Sequence, residues 1–143
     1  MTAITLGADA TTVILNGFAI TDFVEGDVLT LTPANDLTSH VNGTNGDVTV
    51  FGRTDAGVYD LGMRVKKYSP SDVFLNSARN RSVPEIFNGS AKESYRRNGN
   101  DQTSTWILEN GSITTQPTDT RNNQEGNAVM EYTIRFRNAQ RSI

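Results

Sequence analysis

Six Asn-Gly dipeptides punctuate this chain of 143 residues, at Asn16-Gly17, Asn42-Gly43, Asn45-Gly46, Asn88-Gly89, Asn98-Gly99 and Asn110-Gly111. Both residue types tolerate positive φ, so the pair suits the tight turns of β-hairpins. Between these marks the apolar residues alternate with polar ones. From Val58 to Lys66, Tyr59, Leu61, Met63 and Val65 share one face, while Asp60, Arg64 and Lys66 share the other. From Val129 to Arg137 the pattern repeats, with Met130, Tyr132, Ile134 and Phe136 opposite Glu131, Thr133, Arg135 and Arg137. Alternation of this kind describes antiparallel strands with one buried and one wet face. Further strands are expected at 11–20, 27–32, 47–52, 90–98, 102–109 and 112–118. The fold class that follows is mainly β, an antiparallel sandwich or barrel with one short helix.

That helix is expected after Ser69-Pro70-Ser71-Asp72, where Ser caps, Pro takes the first helical position and an acid sits in the first turn. It ends near Arg79-Asn80, ahead of Pro84. Residues 33–46 read as a long polar loop, residues 119–127 as another, and residues 1–10 as a flexible arm without strand pattern. No linker divides the chain, so residues 1–143 are expected to form a single domain.

Composition removes several functions. With no Cys, disulfide scaffolds, thiolate metal sites and cysteine nucleophiles are excluded. No apolar run approaches the ~20 residues of a membrane-spanning helix, and Met1 to Thr5 lacks the basic and apolar regions of a secretion signal. The net charge of −3 argues against general binding to nucleic acid backbones. Charge is uneven, however. Residues 1–60 hold eight acids against Arg53 alone, a net −7, whereas residues 61–143 hold twelve basic and eight acidic side chains, a net +4. Such asymmetry suits head-to-tail association.

The catalytic inventory is thin. His40 is the sole histidine and stands beside Ser39 without a local acid; catalysis requires positioned partners. Glu25 and Asp27 share a side of one strand start but lack the spacing of a cation loop. No phosphate-cradling glycine loop is present. No cofactor, metal or enzymatic activity is therefore expected. Three other readings carry specific residues. Basic groups at Arg64 to Lys67, Arg79 to Arg81 and Lys92 to Arg97, with Tyr68 and Tyr95 nearby, could grip a single-stranded nucleic acid. Trp106, Tyr59, Tyr68 and Tyr95 could be stacking platforms of a carbohydrate-binding sandwich. Asp60 and Glu131 could be a hydrolytic carboxylate pair.

A more specific pattern spans roughly Val13 to Phe136. The polar stretch Asp36-Leu37-Thr38-Ser39-His40-Val41-Asn42-Gly43-Thr44-Asn45-Gly46-Asp47 ends in a Gly-acid turn. A short strand, Asp55-Ala56-Gly57, the alternating strand to Val65 and the capped helix at Tyr68 to Asn76 follow. Later come Trp106-Ile107-Leu108-Glu109-Asn110-Gly111-Ser112-Ile113, a polar insert, and Gly126 to Ile134. This order resembles the tail tube proteins of contractile-tailed bacteriophages, a family related to the tubes of bacterial injection machines. The resemblance implies a structural virion protein that self-assembles: six copies close into a ring, and rings stack into the inner tail tube through which the genome reaches the host. It implies partners in the tail sheath, baseplate and tape-measure proteins, synthesis in the host cytoplasm, and DNA that passes without sequence-specific binding. A negative lumen would repel DNA; the wall candidates are Asp47, Asp60, Glu109 and Glu131. For contacts between rings the candidates are Asp36, Ser39, His40, Asn42 and Asn45, with the arm 1–10.

Overall fold

Nine strands and one helix make up the described part of the chain, which in the computed structural model is residues 2–24, 29–121 and 128–143, with backbone alone at 7–10, 120 and 121. Strand β1 (Ile4–Leu15) turns into β2 (Phe18–Ile20), and β3 (Leu29–Pro33) follows. A hairpin of β4 (Thr38–Asn42) and β5 (Val48–Gly52) leads to β6 (Tyr59–Lys66) and the helix α1 (Pro70–Arg79). Strands β7 (Phe87–Arg97), β8 (Asn100–Arg121) and β9 (Ala128–Ser142) complete the chain. Seven strands form one antiparallel sheet in the order β2-β1-β7-β8-β9-β6-β3, and β4 and β5 pair only with each other.

The two most regular stretches of sequence lie side by side at the centre of the core. Leu61 stands opposite Ile134, Met63 opposite Tyr132 and Tyr59 opposite Phe136. Directly opposed residues of an antiparallel pair share a face, and Leu61, Met63, Val65, Tyr132, Ile134 and Phe136 are all essentially inaccessible to solvent. The sheet then curls over this apolar face. After β2 the chain crosses to the far side of β6: the Lys66 amide donates to the Asp22 carbonyl (2.8 Å) and the Val24 amide to the Arg64 carbonyl (3.2 Å). Asp22 takes φ 61° to make that corner. Leu29 and Leu31 of β3 thereby line a groove with Thr11, Ala91 and Trp106 from the other end of the sheet.

Helix α1 covers the interior from one end. The Ser69 hydroxyl accepts from the Asp72 amide (3.3 Å), with Pro70 in the first turn, as its sequence foretold. Asp72 does more than complement the helix dipole. Its carboxylate accepts from the Tyr68 amide (2.9 Å) and from the buried Tyr132 hydroxyl (2.7 Å), fastening the helix start to β9. Burial, followed by the Asp72 hydrogen bond and charge, pushes the Tyr132 hydroxyl above its ordinary pKa. Ser71 Oγ accepts from the Thr21 amide (2.9 Å), which ties the same turn to the crossing segment. On the core side Phe74 stacks on Phe18 at 4.4 Å and meets Phe87 edge-on at 6.1 Å.

Four expectations change. Residues 1–10 are not a strandless arm, because β1 begins at Ile4, where Ile4 pairs with Arg97 and Leu6 with Tyr95. Residues 33–46 are not all loop: Thr38 to Asn42 pair with Val48 to Gly52 about the Asn45-Gly46 turn, where Gly46 takes φ 83°. Strands expected separately at 102–109 and 112–118 are one strand, β8. The cause is Asn110-Gly111, which makes a bulge in β8 rather than a turn, while Asn88-Gly89 continues β7 opposite that bulge. Asn110 takes φ 55° and its amide donates to Asn88 Oδ1 (3.0 Å), while the Asn88 amide donates to Asn16 Oδ1 (2.9 Å). Asn16-Gly17 and Asn98-Gly99 do form two-residue turns, with positive φ at all four positions. The Glu25 and Asp27 candidates, and residues 122–127 of the second polar loop, lie outside the described residues.

Strand crowding opposite the bulge and the Tyr132–Asp72 bond give direct tests. A Cβ on Gly89 would lie 1.9 Å from the Ile14 carbonyl oxygen, which is backbone and cannot swing aside. Gly89→Ala is expected to destabilise the fold by roughly 3 kcal/mol or more in urea unfolding, the upper end for overpacking. Tyr132→Phe deprives the buried Asp72 of a donor and is expected to cost about 1–3 kcal/mol, read by the same measurement.

Candidate assembly surfaces

The four acids named as wall candidates fall into two settings. Asp60, Glu109 and Glu131 lie on β6, β8 and β9 of the large sheet, and Asp47 lies at the turn end of the β4–β5 hairpin. The sheet acids are matched with polar or basic partners. Asp60 stands opposite Arg135, which grips it through Nε (2.8 Å) and Nη2 (3.1 Å). Glu131 stands opposite Arg64, with Arg64 Nε 3.3 Å away, within ion-pair distance but off the line of a hydrogen bond. Glu109 accepts from Asn138 Nδ2 at 3.4 Å. The wet face of β6 and β9 is therefore a ladder of crossed charges, acid to base and base to acid, rather than a bare negative strip. Asp60 and Glu131 each face an arginine, an arrangement unlike a pair of carboxylates converging on a substrate.

The candidates for contacts between rings gather on one element. Asp36 leads into the hairpin, Ser39, His40 and Asn42 lie on β4, and Asn45 is in the turn; all are exposed. The hairpin is held firmly at its base. The Arg53 amide donates to the Leu37 carbonyl (3.0 Å), Asn35 Nδ2 donates to the Asp55 carbonyl (3.2 Å), and Arg53 pairs with Asp55 through two bonds of 3.0 and 3.1 Å. Beyond that base its residues are open to solvent. Register divides them: Ser39 pairs with Phe51 and Val41 with Thr49 on one face, His40 with Val50 and Asn42 with Val48 on the other.

This element carries what the sequence reading missed. Leu37, Val41, Val48, Val50 and Phe51 are each at least half exposed. A two-stranded hairpin alone is at best marginally stable in water, and a cluster of exposed apolar side chains marks an interaction surface. The signal was in Val48-Thr49-Val50-Phe51, but a strand's own sequence does not show whether its chain covers it.

The remaining candidates are spread out. Trp106 packs against Tyr59 (5.1 Å between ring centres) at the edge of the core, whereas Tyr68 is exposed, so these rings form no common platform. Arg81 pairs with Glu85, Arg96 with Asp101 and Lys67 with Asp119, which partly neutralises the three basic clusters. Among the described residues no three His, Asp or Glu side chains gather as a metal site would require. No described helix is long and apolar enough to cross a membrane.

No protein-family model matches the sequence, and no curated protein matches it. Solved structures do. The chain superposes with a TM-score of 0.66 and 12% identity on a chain of an extracellular contractile injection system's sheath/tube terminator in the extended state, covering 97% of both. In the sheath-tube complex of such a system the TM-score is 0.64 at 11% identity, covering 96% of this chain and 91% of the other. The tube-terminating cap of an anti-feeding prophage gives 0.66 at 10%, with the same coverage. The fold is thus one found in contractile injection machinery, as the resemblance to tail tube proteins implied.

The Asp60–Arg135 pair predicts a pH effect. Hydrogen bonding to Arg135 holds the Asp60 carboxyl below its ordinary value of 3.8, against an opposing pull from partial burial. A carboxyl depressed in the folded state stabilises above its unfolded pKa and loses that contribution as pH falls through the folded value. Asp60→Asn is expected to cost under about 1 kcal/mol at pH 7, since the pair is largely exposed. The two proteins' stabilities should converge as pH falls through the depressed folded value of Asp60.

Proposed function

We propose that this chain is a structural subunit of a contractile tail or injection machine, and that it builds the inner tube. Six copies close into a ring and rings stack, with the genome passing through the lumen and with sheath, baseplate and tape-measure proteins as partners in the virion. The observation that carries this reading is the β4–β5 hairpin, anchored at its base and exposing apolar side chains that its own chain leaves uncovered. The shared fold across nearly the whole chain supports the same reading. A head-to-tail contact that closes gives a ring, and one that repeats along an axis gives a filament.

Charge fits the role of a conduit wall without a sticky surface. Asp60, Glu109 and Glu131 are wall candidates whose charge is tempered by Arg135, Asn138 and Arg64, so that DNA meets a polar surface of low net charge. Such a surface offers few uncompensated cations to phosphates. Asp47, the fourth wall candidate, lies at the hairpin turn and is also within reach of a contact between rings.

Negative-stain microscopy and sedimentation at rising protein concentration test this. Six-membered rings or tubes are the expected result, shortening as salt screens the charges between rings. A monomer at every concentration, with purified sheath protein present or absent, contradicts it.

A further inference from the structure

A second apolar surface, besides the β4–β5 hairpin, lies at the start of β1. The β7–β8 hairpin and the start of β1 extend beyond the strands that cover the core. Counting by twos from buried Ala91, the side chains of Glu93, Tyr95 and Arg97 lie on the core-facing side; Leu6 is paired with Tyr95 and Ile4 with Arg97. Ile4 and Leu6 nevertheless remain 62% exposed. They form an apolar ledge, continuous with the core face, that nothing in the described chain covers. Its rim holds Arg97 at the turn end and Glu93 further in. Along Ile4 to Thr12, β1 pairs only with β7 among the described residues, so no described strand covers its outer backbone edge.

Resting on the tube reading above, we propose that the Val41/Phe51 face of one copy's hairpin docks on the Ile4/Leu6 ledge of a second copy. Three features match. Val41 and Phe51 are 57% and 50% exposed and form a diagonal cross-strand pair on one face, about 7–8 Å apart, close to the about 6.6–6.8 Å between Ile4 and Leu6 on their single strand. Phe51 thereby reaches the Leu6–Tyr95 pair while Val41 covers Ile4. Asp47 lies two residues before Thr49, the partner of Val41, so alternation puts it on the same face at the turn end, where Arg97 lies beside Ile4 on the ledge. The opposite face, with His40, Val48 and Val50, stays free for a different neighbour. The two surfaces being different, the contact is head-to-tail and propagates from copy to copy.

The absence of native Cys makes trapping direct. Chains carrying Val41→Cys together with Ile4→Cys are assembled under reductant, then oxidised or bridged with a short bismaleimide. A ladder of covalent oligomers on a denaturing gel is expected, while a mixture of the two single variants should stop at dimers. Polymer that forms without any cross-link overturns the docking and leaves the tube reading intact. A wild-type chain that never polymerises overturns both. If the paired variant does not assemble under reductant, charge exchange decides. Asp47→Lys should raise the concentration at which polymer first appears about tenfold, and adding Arg97→Asp to the same chain should restore it. No restoration overturns the docking.

Discussion

The facing of β6 and β9 across one apolar row is the constraint from which the rest of the structure follows. Leu61 against Ile134 and Met63 against Tyr132 fix the register, and a slip of one residue would turn every one of these side chains to water. With that pair set, the charged residues between them fall on the wet face in opposed pairs, Asp60 to Arg135 and Arg64 to Glu131. Tyr132 also reaches Asp72, so the same strand positions the helix that closes one end of the interior. The Thr21–Val24 crossing then brings β3 round to face β1 and β7. A sheet curled in this way satisfies the core and leaves its longest strands overhanging it.

Two apolar surfaces left over by this arrangement contrast with the outer face of β6 and β9. The β4–β5 hairpin and the Ile4/Leu6 ledge are apolar where the outer face of β6 and β9 is charged and self-paired. The self-paired face needs no partner, because crossed acids and bases already neutralise one another. The apolar surfaces retain a free energy of burial of about 25 cal/mol per Å² that any partner covering them would release.

Much of this fold was legible in the sequence. Strict alternation at Tyr59 to Val65 and Met130 to Phe136 exposed the central strands, and Ser69-Pro70-Ser71-Asp72 exposed the helix start. Asn16-Gly17 and Asn98-Gly99 marked true two-residue turns. Asn110-Gly111 misled because the left-handed freedom of Asn110 serves a bulge as well as a turn, and Asn88-Gly89 misled because it runs on as strand opposite that bulge. What distinguishes them is tertiary: Gly89 lies against the Ile14 carbonyl and Gly111 against the Phe136 ring, contacts between residues far apart in sequence. The candidate surface was legible only in part. Ser39, His40, Asn42 and Asn45 lie on the hairpin, but its apolar half was hidden, since exposure depends on what the remainder of the chain leaves uncovered. The Ile4 to Leu6 stretch was too short to show a strand before β7 supplied its partner.

Amide hydrogen exchange of the isolated chain and of the assembled protein tests the central claim most directly. In the isolated chain the amides of Val41 to Phe51 are predicted to exchange rapidly, while those of Leu61 to Val65 and Tyr132 to Phe136 are protected by the core. On assembly the hairpin should become protected and the core strands should change little. Strong protection of the hairpin in the isolated chain, or a hairpin that still exchanges freely after polymerisation, would contradict the account.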